Sequence, residues 1–227
     1  MPPDVIRVST RWVNFHVLKD TQGLYLVDAG FIGGMKALQA ALVRKGWERL
    51  PIRGIILSHG HLDHILNVAK LVRETGAWIA APRLDMSFYK GEGDYSGWSR
   101  IAGILESLGR QMLGFEPFAP DRLIEDGDRL DVWRGLRAVH LPGHTAGHMG
   151  YLCEERGLLF SGDLFASFEK FSHLPPKVFN LNPELLQLSM ARALSLELRG
   201  VIPNHGDGAE PDVHLRRLRK VAKQEWS

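Results

Sequence analysis

Three histidines and one aspartate stand within a run of seven residues, Ser58–His64, whose sequence is SHGHLDH. The apolar segment 52–57 comes directly before this run, so the cluster lies just past the end of a predicted strand. Neutral imidazole nitrogens and ionised carboxylate oxygens are the donors that zinc and related divalent metals prefer. A histidine-rich surface turn is the alternative interpretation, but such a tract has no need of an acid at a fixed place among its histidines. The run therefore predicts a metal-binding loop.

Three later segments place a His or Asp in a similar position, just past a short apolar stretch and beside Gly or Pro. They are His140–His148, Leu159–Asp163 and Val201–Gly206. Glycine lets the backbone turn sharply where a strand ends. We therefore expect these segments to be strand ends that bring their polar side chains to one common edge of the fold.

With these motifs the chain resembles the metallo-β-lactamase superfamily, whose hallmark is the pattern H-x-H-x-D-H followed by a distant His, Asp and His. The resemblance runs from about residue 4 to the C-terminus, and all seven positions of the pattern are filled. It implies an α/β (α+β) fold, a four-layer αββα sandwich. Two β-sheets would lie face to face with helices outside, and the metals would lie at one edge.

The resemblance also implies how the seven side chains divide between two divalent metal ions. The first donor set is expected to be His59, His61 and His144, and the second donor set Asp63, His64 and His205. Asp163 is expected to bridge the two ions. Zinc is the expected metal, with iron or manganese as alternatives. Spacing alone does not say which side chain serves which ion.

Such a centre has a well-defined chemistry. Two cations about 3.5–4 Å apart can share a hydroxide, because metal binding lowers the pKa of water to about 7. Asp63, the one acid inside the imidazole cluster, is expected to be catalytic as well as a ligand, accepting or relaying the proton of the nucleophile. Asp28 resembles the strand-end Asp of the superfamily that orients ligands from the outer shell. A turn residue before Gly30 is the alternative role for Asp28.

Sequence periodicity predicts the order of strands and helices. Strands are expected at about residues 4–8, 12–18, 23–28, 52–57, 77–81, 121–125, 129–133, 136–141, 148–153, 157–161 and 200–203. Helices are expected from Gly33 to Gly46, after Asp63, at about 99–113 and 183–198, and from about 211. Asp63 is expected to cap the helix that follows it, and Asn182 to cap the helix at 183–198.

A single domain is expected over residues 1–227, with two additions to the sandwich near 83–118 and 164–181. Both are rich in aromatic residues, namely Phe88, Tyr89, Tyr95, Trp98 and Phe115 in the first and Phe165, Phe168, Phe171 and Phe179 in the second. These rings either bury one another beneath long connections or form a cover and pocket wall beside the metals. The second addition starts at Asp163, so its first residues are expected near the site. Substrate-binding residues are not otherwise indicated.

Composition and charge limit the classes of partner and the location that we expect for the protein. The formal net charge of +2 is too small to indicate nucleic acid, and no apolar run is long enough to span a membrane. The first residues lack the basic start and apolar core of a signal peptide, so the cytoplasm is the expected location. Cys153, the single cysteine, is expected to be a buried apolar residue rather than a nucleophile. A small-molecule substrate is expected, and the oligomeric state is not indicated.

Differences between branches of the superfamily narrow the range of reactions that we expect. The segments around His144 and Asp163 look most like the glyoxalase II branch, which cleaves glutathione thioesters, but the helical C-terminal region that grips glutathione there has no counterpart in the roughly twenty residues after His205. Zinc β-lactamases lack the bridging Asp. Quorum-quenching lactonases are expected to carry a Tyr shortly after this Asp, where the chain has Phe165 and Phe168.

The sequence thus predicts a dinuclear metal-dependent hydrolase that uses a metal-bridging hydroxide to cleave a small ester, thioester or lactone. One alternative on the same scaffold is a mononuclear iron dioxygenase of sulfur compounds. The other is a phosphodiesterase or ribonuclease, although the chain offers no clear candidate for the protruding arm of the tRNA-processing branch.

Overall fold

Strands and helices follow one another in broadly the predicted order. The computed structural model describes residues 1–93, 95 and 99–224, without the side chain of Ile101. Its strands are β1 (Val5–Ser9), β2 (Asn14–Asp20), β3 (Gly23–Val27), β4 (Ile52–Ile56), β5 (Trp78–Pro82), β6 (Arg122–Ile124), β7 (Arg129–Leu130), β8 (Leu136–His140), β9 (Met149–Cys153), β10 (Leu158–Gly162), β11 (Ala166–Ser167), β12 (Ser172–His173) and β13 (Gly200–Pro203). Its α-helices are α1 (Gly34–Lys45), α2 (Leu62–Ile65), α3 (Val68–Thr75), α4 (Met86–Tyr89), α5 (Arg100–Met112), α6 (Pro183–Leu194) and α7 (Pro211–Val221).

The strands form two large sheets. The first has six strands in the order β1-β2-β3-β4-β5-β6, antiparallel up to β3 and parallel from β3 to β6. The second has five strands in the order β13-β10-β9-β8-β7, in which only the β10–β13 pair is parallel. The two short strands β11 and β12 pair with each other inside the second predicted addition.

Apolar side chains show four layers. Residues of both sheets, among them Ile56 and Phe160, form one buried cluster between the sheets. The outer face of the first sheet packs against α1 and α3 through a second cluster that contains Leu38 and Leu71. The outer face of the second sheet packs against α6 and α7 through a third cluster that contains Leu186. The predicted αββα sandwich is therefore confirmed.

The metal motifs follow the C-terminal ends of β4, β8, β10 and β13. Because β10 and β13 run parallel, the residues just past their ends, Asp163 and His205, come out at the same edge of the second sheet. At the end of β10 the chain turns at Gly162, whose φ of +53° lies in the left-handed region that favours glycine. A β-carbon on Gly162 would also press against the ring of His148.

Two local predictions meet different outcomes. Asn182 caps α6 as predicted, since its side chain accepts hydrogen bonds from the Glu184 and Leu185 amides at 3.0 and 3.1 Å. The prediction that Asp63 caps a helix is wrong, because Asp63 lies inside α2 and His61 occupies the N-cap position. The short helix α2 turns neighbouring side chains of the loop to one side. A separate helix, α3, follows it.

Within the described ranges, no helix has both the length and the apolar character needed to cross a membrane. Cys153 is free and buried in β9, as expected of an apolar core residue.

One core position carries an imidazole. His16 in β2 points between the sheets, is fully buried, and has its ring centroid 5.7 Å from that of Phe160. Neither ring nitrogen has a hydrogen-bond partner in the part of the chain that the structure describes. Burial lowers the pKa of His16 to about 3, and the positive charges of Arg7 and His214 act in the same direction. His16 is therefore neutral in the folded chain at any physiological pH.

Replacing His16 with Leu should remove a pH-dependent loss of stability. Below its ordinary pKa of 6.5 the unfolded chain protonates His16, whereas the folded chain does not until about pH 3, so the free energy of unfolding falls as the pH falls through this window. When the pH is lowered from 7.5 to 5, the free energy of unfolding of His16→Leu should therefore rise by about 2 kcal/mol relative to that of wild type. Urea titrations of both proteins at both pH values, in chelator, measure this difference. A constant difference would contradict the buried, neutral state of His16.

Candidate metal centre

The structure brings all seven predicted ligands together at the edge where the motifs end. The donor atoms of His59, His61 and His144 lie within 4.8 Å of one another. Those of the second donor set and Asp163 do so as well. Asp63 and His205 are half-buried, whereas the other ligands are buried.

Asp163 lies between the two donor sets. Its Oδ2 atom is 3.5 Å from Nε2 of His144, in the first donor set. The same oxygen is 3.4 Å from Nε2 of His64 and 3.0 Å from Nε2 of His205, in the second donor set. A single carboxylate that reaches both sets has the position expected of a bridging ligand.

Several donor atoms lack a hydrogen-bond partner among the described residues. Nε2 of His59, His64 and His144 and Oδ1 of Asp163 are buried without a hydrogen bond. Burying polar atoms without partners is costly, so native chains avoid it unless another species satisfies them. Imidazole nitrogens and carboxylate oxygens in two adjoining groups fit a pair of divalent ions of the zinc type. The residues present therefore fit the implied metals.

Asp28 orients two of the imidazoles from beneath. It is fully buried and accepts hydrogen bonds from the amide and the hydroxyl of Ser58, at 2.7 and 2.8 Å, and from Nδ2 of Asn204 at 2.6 Å. Oδ2 of Asp28 also faces Nδ1 of His64 at 3.1 Å. Since the Ser58 hydroxyl donates to Asp28, its oxygen is left to accept from Nδ1 of His59, 2.9 Å away. Both rings then present Nε2 to the centre, which supports the outer-shell interpretation of Asp28.

His144 is oriented in the same way by the second predicted addition. Its Nδ1 lies 2.8 Å from Oδ1 of Asn180, and Nδ2 of Asn180 donates to the Pro175 carbonyl at 2.7 Å. This amide is held in place by the backbone. The Nδ1 proton of His144 therefore has a fixed acceptor, and Nε2 is left for the centre.

A buried carboxylate, Asp85, joins the first two motifs. It accepts hydrogen bonds from the Gly60 amide at 2.9 Å, the Thr145 hydroxyl at 2.7 Å and the Gly147 amide at 2.7 Å. Burial raises the pKa of Asp85 to about 6, although these three donors act against the rise. Asp85 thus ties the loop of the first donor set to the turn that carries His144.

An ion pair on α5 holds the backbone of the metal loop on both sides of His61. Arg110 donates from Nη2 to the Gly60 carbonyl at 3.1 Å, and Oε1 of Glu106 accepts from the Leu62 amide at 2.7 Å. The two side chains are 2.7 Å apart and nearly buried. We call Glu106 and Arg110 the loop clamp. It gives the first predicted addition a structural connection to the metal ligands.

The two donor sets differ in the protonation state of their histidines. Burial lowers the pKa of His61 to about 4 and that of His144 to about 3, so both rings are neutral at pH 7 with free lone pairs. Burial acts in the same direction on His205, but the Asp163 carboxylate prevails and raises the pKa of His205 to about 10. Without metal, the second donor set therefore holds protons that a cation must displace.

Two other histidines in the motifs, His140 and His148, contact the backbone and are not among the seven candidate ligands. Nδ1 of His148 lies 2.9 Å from the Leu141 carbonyl, and its Nε2 accepts from the Asp163 amide at 3.0 Å. His140 contacts the Ala146 carbonyl through Nε2 at 2.8 Å. Both rings are used in holding backbone, and His148 positions Asp163 directly.

Apart from Asp28, sequence reasoning did not find the partners that orient the ligands. These residues are Asp85, Glu106, Arg110, Asn180 and Asn204. Asn204 stands beside His205 in a recognised motif, so its place was a usable signal. The others lie in the two additions, far in sequence from the atoms they contact, and no spacing rule links them to the motifs.

A cavity of about 590 Å³ opens beside the donor sets. Both predicted additions line it, with Leu105 and Glu106 from α5 and Phe165, Phe168 and Phe179 from the stretch 164–181. The expectation of a pocket wall agrees with this geometry.

Other aromatic residues of the additions pack inward instead. Phe88 and Tyr89 are buried in the cluster on the outer face of the first sheet, with Phe115 packed against it. Tyr95 stacks on His61 at a centroid distance of 6.1 Å. Trp98 lies outside the described residues. Burial of neighbouring rings and formation of the pocket wall thus both occur, at different positions.

Breaking the loop clamp should weaken metal binding. In Arg110→Met the Gly60 carbonyl loses its donor and Glu106 its counter-ion, so His61 is held less firmly. We expect apparent metal affinity to fall about 10- to 100-fold, the usual effect of removing a group that orients a ligand. Competition with a chromophoric chelator measures the affinity, and circular dichroism checks the fold. Arg100→Met, an exposed position on α5, is the matched control. Equal affinity in folded Arg110→Met and the control would contradict the role of the clamp.

Comparisons with known proteins agree with the fold and the motifs. The family model described as the metallo-beta-lactamase superfamily matches residues 11–213. Probable metallo-hydrolase YflN of Bacillus subtilis (strain 168) is 24% identical over 200 residues, which cover 80% of this chain and 74% of YflN. Hydroxyacylglutathione hydrolase GloC of Haemophilus influenzae is 30% identical over 123 residues, 51% of this chain and 50% of GloC.

Solved structures with the same fold include a metallo-beta-lactamase family protein, TTHA1429 from Thermus thermophilus, with a TM-score of 0.73 and 22% identity over 97% of this chain and 79% of that one. TTHA1623, solved in a di-iron-bound form, has a TM-score of 0.68 and 27% identity over 93% of this chain and 96% of that one. With the family match over most of its length, the chain belongs to the metallo-β-lactamase superfamily.

Proposed function

We propose that the protein is a dinuclear metal-dependent hydrolase that cleaves a small ester, thioester or lactone. The observation that carries this proposal is the place of the Asp163 carboxylate, within 3.5 Å of imidazoles from both donor sets. Similarity to a probable metallo-hydrolase and to hydroxyacylglutathione hydrolases supports hydrolysis as the reaction class. Zinc is the metal we expect, and the di-iron form of a structural neighbour makes iron the first alternative to test.

The donor sets would hold the two ions, and ions so held lower the pKa of water to about 7 and polarise a carbonyl oxygen. The chain's own residues supply the remaining requirements. Neutral His61 and His144 offer lone pairs, while Asp28 and Asn180 keep neighbouring rings in one orientation. The apolar side of the cavity would exclude water from the part of the substrate that it covers.

Asp63 is suited to manage a proton. It lines the cavity and is half-buried, so its carboxylate faces the space where substrate and water would meet. Burial raises its pKa, but His64 and His205 outweigh that effect and hold the pKa of Asp63 at about 2. Asp63 is therefore ionised at neutral pH, and with so low a pKa it is a weak base that can relay a proton only briefly.

Metal content and a substrate screen test the proposal together. Element analysis should find about two metal ions per chain, and esters, thioesters or lactones should be hydrolysed in a panel that also contains phosphodiesters. One iron per chain with oxygen-dependent turnover of a sulfur compound would instead establish the dioxygenase alternative. Turnover confined to phosphodiesters would establish the nuclease alternative.

Removing the bridge should separate the two ions. Asp163→Ala deletes the one side chain that we place between both donor sets, so we expect loss of one metal and of nearly all turnover while the fold survives. Element analysis, kinetics and circular dichroism measure these three properties. Asp212→Ala, at an exposed position in α7, is the control and should match wild type. Full metal content with a wild-type rate in Asp163→Ala would refute the two-metal assignment.

Asp63→Asn should distinguish a ligand from a proton acceptor. The amide nearly preserves the shape and can offer an oxygen to a metal, but it accepts no proton at neutral pH. We expect at least one metal to remain and kcat to fall by about 10²–10⁴, the usual range for loss of a general acid or base. Metal content and kcat are measured on the same preparation, with Asp212→Asn as control. If both metals remain with near wild-type kcat, Asp63 is a ligand alone.

A further inference from the structure

In the described lining of the cavity, positive charge is confined to the metal centre, where His205 is protonated in the metal-free protein. Among the described residues that line it, none is Lys or Arg. Within the same part of the chain, the one acidic lining residue that is not a ligand is Glu106, which is already engaged by Arg110 and by the Tyr95 hydroxyl. The residues of the first addition that lie outside the described ranges, Asp94, Ser96, Gly97 and Trp98, include no basic side chain either.

The mouth of the cavity is apolar and open to solvent. Trp12, Leu105 and Phe179 all line the cavity, and they are 58%, 63% and 43% exposed. Deeper in, Phe165 and Phe168 continue the same apolar surface. Large apolar side chains gathered around one opening are typical of a site that receives an apolar group.

From these observations we infer that the substrate is an uncharged ester or thioester with an apolar acyl group, and not a glutathione conjugate. The inference rests on the proposed hydrolase function. Glutathione carries two carboxylates and an ammonium group, and carboxylates that leave water without cationic partners lose strong hydrogen bonds. An alkyl acyl group, in contrast, gains from each methylene that it buries against Phe165, Phe168 and Phe179.

Two thioesters with the same acyl group separate these classes. S-octanoyl-N-acetylcysteamine is neutral, whereas S-octanoylglutathione is anionic. With metal-loaded protein, kcat/KM should be about 10- to 100-fold higher for the neutral thioester, the range expected for unpaired charged groups. In a series of neutral thioesters from acetyl to octanoyl, kcat/KM should rise by up to about fourfold for each added methylene.

A charge placed at the mouth should change this preference. Leu105→Lys adds a cation to the cavity. The ratio of kcat/KM for the neutral thioester to kcat/KM for the glutathione thioester should therefore fall about tenfold or more, with metal content unchanged. Leu108→Lys is the matched control, because Leu108 is on the same helix and 53% exposed but does not line the cavity. The control should keep the wild-type ratio.

The outcomes distinguish this inference from the function on which it rests. Turnover of neither thioester, nor of any ester or lactone, would overturn the proposed hydrolase and the inference with it. Turnover that favours S-octanoylglutathione, or that is indifferent to acyl length, would overturn the inference alone. Equal ratios in Leu105→Lys and Leu108→Lys would show that the apolar mouth does not select the substrate.

Discussion

The metal centre depends on one electrostatic constraint: a buried carboxylate, Asp163, stands among imidazoles, and Nε2 of His59, His64 and His144 has no hydrogen-bond partner among the described residues. Such a group is stable only if positive charge is present, either as protons on His64 and His205 or as metal ions. The parallel pairing of β10 and β13 makes this arrangement unavoidable, because it sets Asp163 and His205 at the same edge. The buried partners around the centre keep the donors in place.

Those partners come from both the sandwich and the additions. The sandwich supplies Asp28 and Asn204, which lie at strand ends next to the ligands. The additions supply Asp85, Asn180 and the loop clamp, which hold the backbone and rings from outside. The two additions also form most of the apolar cavity lining. The same two additions therefore support the candidate metal ligands and line the cavity beside them.

The ligands and most elements could be predicted from sequence because their signals are local. A ligand such as Asp163 follows a short apolar strand, and Asn182 with a following Pro marks a helix start. The prediction that Asp63 caps a helix was wrong because, in sequence, an acid that serves as a candidate metal ligand cannot be told from an acid that caps a helix. Asp85 and Arg110 could not be predicted, since their partners are defined only when distant segments fold together. The burial of His16 between the sheets could not be predicted either, because a single histidine without neighbouring polar motifs gives no sequence signal of its environment.

The position of the loop clamp has an evolutionary consequence. Glu106 faces the cavity and holds the Leu62 amide, and Leu105 beside it forms part of the mouth. A mutation that moves the backbone of α5, unlike a side-chain change at the exposed Leu105, should therefore also shift the support of the metal loop. We therefore expect such mutations to alter substrate range and metal affinity together, so new specificities should arise more readily from changes in the stretch 164–181 that leave Asn180 intact than from changes to the backbone of α5.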